Sequence, residues 1–383
     1  MDRRTLLKKG GLVLAGGLAG CAPAIGRVSA GRTSRHLVPV QASWDRVIRT
    51  TVGLRPYRPS GFVLRADRLD AKTLIHNFGH GGSGMSLSWG TAQMAAELAL
   101  GQPRRRAAVI GCGVVGLTTT RELQHRGFDV TIYAMSVPPN TTSNMSLAAW
   151  TPTSGLVSQP LRTTQWDAQL RQAARIAYPR LQLLVGPRYG VSWLEVYTLG
   201  NSPPGEGGAA GPQPEPLLPP ELTPGETVLG PGEHPFPTRY ATVRPTLRFE
   251  PSIYLDALVR DVRAAGARIV IRKFYSLRDL AALTEDVIVN CSGLGSGELV
   301  GDPEIRPTKG QLTHLIPQAE VDYSTFGGIS PSPGGFLQMQ PRGDGIALGG
   351  TSEQGNGSLE PDEEARRRVV DAHIALFSAM RTA

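Results

Sequence analysis

The sequence predicts an α/β fold in two parts, a Rossmann-like unit on a parallel sheet and an α+β region on an antiparallel sheet. Three observations lead there. An apolar strand runs into Gly111-Cys112-Gly113-Val114-Val115-Gly116 and then into a helical pattern. A second glycine-rich turn precedes another helical run ending near residue 100. Short β-like runs crowd the chain after residue 240. With 383 residues there is enough chain for roughly two to three domains and a large core. Hydrophobic residues at 40% and charged residues at 19% exclude a disordered tail or a coiled coil. The three cysteines exclude a disulfide framework. The net charge of +8 comes from scattered basic residues, so no nucleic-acid partner is expected.

The first thirty residues read as an address. Arg3-Arg4 precede Thr5-Leu6-Leu7, and a small, weakly apolar run covers 10–20. A helix of that length falls well short of the roughly 30 Å of hydrocarbon it would have to cross. The layout resembles a twin-arginine export signal, a route that exports proteins already folded, and so predicts a cell-surface, periplasmic or secreted location. Leu18-Ala19-Gly20-Cys21 resembles a lipobox, which would make Cys21 a lipid anchor. Ala22-Pro23-Ala24 offers the other reading, cleavage to a soluble form.

In chain order, 31–70 is mixed and basic with turn signals at Arg55-Pro56-Tyr57-Arg58-Pro59, and 91–100 is helical. Residues 106–134 form a strand–turn–helix–strand unit, and 162–186 has helical spacing. About half of 200–237 is Gly or Pro, which predicts a long exposed loop. Strands are expected at 240–243, 246–249, 268–271, 287–290, 311–316, 336–340 and 345–348. Helices are expected at 252–265 and 360–380, the latter acidic at its start as the macrodipole prefers.

The turn at 111–116 carries chemistry. Gly111 makes the tight turn, Gly113 admits a pyrophosphate to the backbone, and Gly116 lets helix pack on strand. The helix N-terminus then offers N–H groups to phosphate. A bare G-x-G-x-x-G is a weak signal, but here the strand, the helix and a second strand at Asp129-Val130-Thr131-Ile132-Tyr133 surround it. The acidic residue that should end that second strand and hold a ribose is absent: the chain reads Tyr133-Ala134-Met135, with Ser136 next.

The most specific stretch is His76-Asn77-Phe78-Gly79-His80-Gly81-Gly82-Ser83-Gly84-Met85-Ser86-Leu87-Ser88-Trp89-Gly90. Its two histidines flank a turn rather than a helix face, so no metal is expected. Its glycines predict a backbone nest at a helix start, facing a delocalised anion. Here the sequence resembles the D-amino-acid oxidase family of FAD-dependent flavoproteins. The likeness extends to Asn140-Thr141-Thr142-Ser143-Asn144-Met145-Ser146-Leu147, Val289-Asn290-Cys291-Ser292-Gly293, Pro307-Thr308-Lys309-Gly310-Gln311 and Leu348-Gly349-Gly350-Thr351. It implies FAD bound by Gly111, Cys112, Gly113, Val114, Val115, Gly116, Thr142, Ser143, Leu147, Phe274, Gly81, Gly82, Ser83, Gly84, Met85 and Ser86. It divides the chain into an export signal (1–30), an FAD-binding part (70–155, 266–300 and 341–352), and a substrate part with the C-terminal helix (40–69, 156–265, 301–340 and 353–383).

The resemblance further implies hydride transfer from the α-carbon of a D-amino acid to flavin N5, giving 2-oxo acid, ammonia and, with oxygen as acceptor, hydrogen peroxide. The family's substrate-carboxylate arginine aligns with Arg58; the other reading is a surface-turn arginine. The family's tyrosines fall on Gln338 and near Gly334, so Gln338 either replaces a hydroxyl or is an ordinary sheet residue. The lid segment 327–335 carries no aromatic. These departures leave a second functional reading, an exported flavin-binding protein with weak or different amine-oxidising activity. The family's segments also stand in another order here, with 55–59 and 76–90 ahead of the dinucleotide turn. The order is that of a circular permutation, which predicts that the C-terminal helix ends near residues 40–54.

Overall fold

In the computed structural model, residues 36–203, 216–223, 225–328 and 336–381 are described. The export signal, Cys21 and most of the lid segment, Gly334 included, lie outside them. The first half carries β1 (Val47–Tyr57), β2 (Val63–Leu69), β3 (Lys72–Phe78), α1 (Gly84–Ala99), β4 (Arg106–Ile110), α2 (Val114–His125) and β5 (Asp129–Ala134). Then follow α3 (Thr164–Gln182), β6 (Val191–Gly200), β7 (Thr227–Leu229), β8 (Tyr240–Phe249), α4 (Pro251–Ala264) and β9 (Arg268–Ile271). Short helix α5 (Leu277–Ala281) leads to β10 (Val287–Asn290), and α6 (Ser296–Leu299) to β11 (Arg306–Leu315). The chain finishes with β12 (Tyr323–Gly327), β13 (Gln338–Arg342), β14 (Gly345–Gly349), β15 (Glu353–Gln354) and α7 (Glu363–Ser378).

The smaller sheet has the order β2-β3-β10-β4-β5-β9. Its inner strands pair in parallel, and β10 is buried along its whole length. A parallel strand covered on both faces reads as an unbroken apolar run, which is why Val287-Ile288-Val289 was legible. Helices α1 and α2 lie on this sheet, with α3 packed on α1 and α4 on α2, and Leu87, Leu117, Leu123, Leu170, Leu255 and Leu258 join one core. Burial of each such side chain contributes about 1.5–3 kcal/mol. Gly90 sets the closeness of α1 to α3, because a Cβ there would meet the Ala173 carbonyl at 1.9 Å. Trp89 donates to the Tyr254 hydroxyl at 2.8 Å, tying α1 to α4.

The larger sheet has nine strands in the order β1-β11-β14-β13-β12-β6-β8-β7, with β15 on β11. It is antiparallel except where β12 pairs with β6. Helix α7 lies on one face, packing Val369, Val370, Leu376 and Phe377 among Leu315, Met339, Ile346 and Leu348. The N-terminal stretch packs beside it: Leu37, Val40 and Met380 share that cluster, and Trp44 Nε1 donates to Asp371 at 2.8 Å.

Several expected elements differ. The runs at 240–243 and 246–249 are one strand, β8, with Pro245 inside it. β7 reaches only Ala241 to Val243, so β8 is an edge at Pro245 and that position needs no ladder donor on its open side. The helix expected from residue 91 starts at Gly84, where glycine and serine hide the apolar period. β1, β2 and β3 replace a stretch read as mixed, and β6 and β12 carry no clean alternation either. Within 200–237 the described residues include the short strand β7.

Candidate active site

Two strand-to-helix turns meet. In the first, Gly111 holds φ at 118°, and a Cβ there would lie 2.5 Å from the Cys291 carbonyl. A Cβ on Gly116 would lie 2.0 Å from the Gly111 carbonyl, so α2 packs against its own turn only because the position is glycine. Helix α2 has no side-chain cap from Gly113; instead Ser143 Oγ accepts from the Val114 N–H at 3.0 Å. In the second turn Gly81 holds φ at 53°, and its absent Cβ would meet the Gly155 carbonyl at 1.9 Å. Helix α1 also begins without a side-chain cap. A Cβ on Gly84 would lie 3.8 Å from Val114 Cγ1, so the two helix starts are in contact distance of each other.

Both turns open on one cavity of about 1240 Å³. Gly111, Cys112, Gly113, Val114, Val115, Thr142, Ser143, Leu147, Phe274, Gly81, Gly82, Gly84 and Met85 line it. Gly116, Ser83 and Ser86 are not in its wall. Gly116 is occupied with packing, and the two serines with bracing. Ser83 donates to the carbonyls of Thr151 and Ser154, while Ser86 donates to Ala149 and accepts from the Thr151 N–H. They fasten the 149–154 wall segment to α1. Two helix starts lined by glycine, α1 without a side-chain cap and α2 with its Val114 N–H taken by Ser143, suit a diphosphate and an electron-rich ring edge, so the cradle fits FAD.

The histidines go separate ways: His76 meets Asp67 at 3.1 Å, and His80 meets Thr91 at 3.0 Å while stacking on Phe62. Burial pushes His80 down to about 4, so it adds no charge to the cavity at neutral pH. Burial likewise pushes the Cys112 and Cys291 thiols up to about 12, which leaves them un-ionised. At the far end of β5, Ala134, Met135 and Ser136 line the cavity, with Met135 71% exposed. Nearby, Arg272 covers the Phe274 ring at 4.6 Å and Lys273 pairs with Glu298 at 3.3 Å.

The larger sheet supplies the opposite wall. Arg58, the arginine aligned to the carboxylate role, is not in it. Its Nε meets Asp302 at 2.8 Å, its Nη2 meets Glu304 at 2.9 Å, and its Nη1 donates to the Gly61 carbonyl. With two carboxylates already paired to it, its charge is matched inside the protein and it does not face the cavity. Arg55, three residues earlier on β1, lines the cavity instead. Its Nη1 lies 3.4 Å from Ser352 Oγ, and no ion pair involves it among the described residues. Burial lowers its pKa from arginine's usual value, the signature of a cation lacking a counter-charge. Gly310 makes room for it, since a Cβ there would meet Arg55 Nη2 at 2.5 Å.

Gln338 opens β13 and lines the cavity between Phe326 and Gly349, its strand partners. Residues not singled out in the sequence also matter. Gln340 donates to the carbonyls of Leu147 and Ala148, at 2.7 and 3.2 Å. Ala148 holds φ at 64°, and the Phe249 N–H also bonds its carbonyl at 2.9 Å. These bonds hold a conformation that alanine rarely adopts. Arg55 is cross-strand from Thr308, with Gly310 opposite Gly53, a register that no local signal gives; nothing local marks Gln340 either.

A family model described as DAO, FAD dependent oxidoreductase, matches residues 16–98 and 106–383. A D-amino-acid oxidase of Rubrobacter xylanophilus is 32% identical over 281 residues, covering 73% of this chain and 79% of that protein. A D-amino-acid oxidase of Dictyostelium discoideum is 27% identical over 279 residues, covering 72% and 74%. Among solved structures, an L-proline dehydrogenase from P. horikoshii superposes with a TM-score of 0.51 at 16% identity, over 72% of this chain and 78% of that one. That last likeness bears on the fold. With both turns facing one cavity and the family model covering nearly the whole chain, the protein belongs to the DAO family of FAD-dependent oxidoreductases and is an enzyme with FAD as its cofactor.

Proposed function

We propose that this enzyme oxidises D-amino acids to 2-oxo acids and ammonia, with oxygen as the electron acceptor and hydrogen peroxide as the second product. The observation that carries the reading is Arg55, a cation without a carboxylate partner, facing the cavity that the two helix starts enclose. Arg55 replaces Arg58 in the carboxylate role. Its planar fork bonds the substrate carboxylate through two parallel N–H groups and fixes the α-carbon in place. Gln338 donates a side-chain N–H toward the substrate. The free N–H groups and positive end of α1 favour negative charge at the isoalloxazine edge. Bound FAD supplies the two-electron acceptor for the α-carbon hydride. The released imino acid takes up water to give the oxo acid and ammonia. Anaerobic mixing with a panel of D-amino acids is expected to bleach the visible flavin absorbance, and air to regenerate it with peroxide. Gln338 at a position where relatives carry a hydroxyl favours the second reading, weak or different amine oxidation. A flavin that stays coloured with every D-amino acid would select it.

We also propose that the chain is a circular permutation of its relatives' order. Supporting this, the family model matches in two blocks whose gap, 99–105, falls between α1 and β4. The opposite junction is short, because Met380 and Leu37 pack in one cluster. A chain rebuilt to start at residue 106 and to join residue 381 to residue 37 through a short linker is expected to bind FAD. A rebuilt chain that neither folds nor binds FAD counts against it. For location, the twin-arginine export reading of Arg3-Arg4 rests on sequence, and Arg3→Lys with Arg4→Lys is expected to retain the folded flavoprotein in the cytoplasm.

A further inference from the structure

The cavity wall carries four cations, Arg55, Arg244, Arg272 and Lys273, against a single carboxylate, Glu298. Lys273 is paired with Glu298, and Arg272 lies over Phe274, both beyond β9 at the end of the smaller sheet. That leaves Arg55 and Arg244 on the larger sheet. Arg244 lies on β8, cross-strand from Val196 of β6. Residues two apart on a strand share a face, so Thr246 and Arg248 line up behind it. Both of those are engaged. Thr246 donates to the Trp150 carbonyl at 3.5 Å, and Arg248 has Ser192 at 3.1 Å and Glu250 at 3.2 Å. Arg244 is half-buried and has neither a hydrogen bond nor an ion pair among the described residues. Its cross-strand partner Val196 brings no charge, and neither do Thr198, Ser324, Leu222 and Thr223 in the same cavity wall.

Strand order places the two unpaired cations symmetrically. Gln338 on β13 is three strands from β1, through β14 and β11, and three strands from β8, through β12 and β6. Arg55 and Arg244 therefore lie on opposite sides of it in the strand order, and both line the one cavity. A diphosphate does not account for Arg244, because the helix starts that receive it belong to the smaller sheet.

We propose that Arg244 receives a second carboxylate, carried on the substrate side chain, so that acidic D-amino acids are the preferred substrates. The inference rests on the D-amino-acid oxidase reading. A cation held half out of water is favoured by an anionic partner, and a neutral side chain leaves it unmatched. Selectivity therefore follows from charge rather than from pocket size.

The test uses the FAD-loaded protein and two unreactive ligands, succinate and butyrate, which differ by one carboxylate and are followed by perturbation of the flavin spectrum. Succinate is expected to bind at least about tenfold more tightly, a gap of about 1.4 kcal/mol. Arg244→Gln is expected to close the gap, and Arg244→Lys to keep part of it. In anaerobic reduction, D-aspartate and D-glutamate are expected to exceed D-alanine in rate at limiting substrate. Equal binding of succinate and butyrate by the wild-type protein overturns the inference, whether or not either variant folds. So does an Arg244→Gln protein that keeps the full succinate preference. A succinate preference in a protein that no D-amino acid reduces sustains the dicarboxylate site and removes the oxidase reading, so the two failures are told apart.

Discussion

The two walls of the cavity are built on different principles. The smaller sheet presents backbone to the cavity, at the starts of α1 and α2, because Gly81, Gly111 and Gly116 let main chain pass where a Cβ would collide. The larger sheet presents side chains to it from strands β1, β8 and β13, namely Arg55, Arg244 and Gln338. Backbone recognition demands glycine at particular places and is intolerant of change. Side-chain recognition is free to move along a strand, and a shift of three residues turns a buried structural arginine into a ligand-facing one.

Arg55 and Arg58 give that comparison its strongest test. Arg55→Ala is expected to lower kcat/KM for D-amino acids about a thousandfold, about 4 kcal/mol of lost transition-state stabilisation, with FAD still bound. On the backbone wall, Gly116→Ala is expected to cost about 3 kcal/mol in unfolding free energy together with much of the FAD content. Its methyl would sit 2.0 Å from the Gly111 carbonyl, and neither side of that contact is a flexible side chain. Denaturant unfolding and flavin absorbance measure both effects.

Arg58→Met is expected to do the reverse of Arg55→Ala. It leaves Asp302 and Glu304 without their partner, lowering stability by about 1–2 kcal/mol after allowing for the exposure of Glu304, while substrate preference is unchanged. The smallest expected effect is a gain. Met135→Glu puts a ribose acceptor at the end of β5 and is expected to tighten FAD binding by about 1 kcal/mol, read by equilibrium titration of the apoprotein.

The glycine wall was legible in the sequence because its requirements are local. Each glycine answers to a turn or a close approach within a short stretch, and the flanking apolar strands β4 and β10 are unbroken runs. The larger sheet was less legible. β1 mixes exposed Arg49, half-buried Thr50, Thr51 and Arg55 and buried Gly53, so no alternation marks it. The pairing of β12 with β6 joins residues more than a hundred positions apart. The resemblance points to Arg58, and nothing near it in the sequence reveals Asp302 and Glu304, which lie 244 and 246 residues away. In Arg55-Pro56-Tyr57-Arg58-Pro59 both arginines precede a stiff turn in similar ways, and only the fold tells which one is already satisfied. Gln340 and Ala148 were missed for the same reason: their bond joins β13 to a loop nearly two hundred residues earlier.

The most direct measurement is a cycle between Arg55 and the substrate carboxylate. Anaerobic flavin reduction is followed with D-alanine and with D-alaninamide, in the wild-type protein and in Arg55→Ala. The expected result is that the wild-type protein favours D-alanine by about a hundredfold or more and that Arg55→Ala erases the difference. An Arg55→Ala protein that holds FAD and still favours the carboxylate as strongly as the wild type would contradict the account.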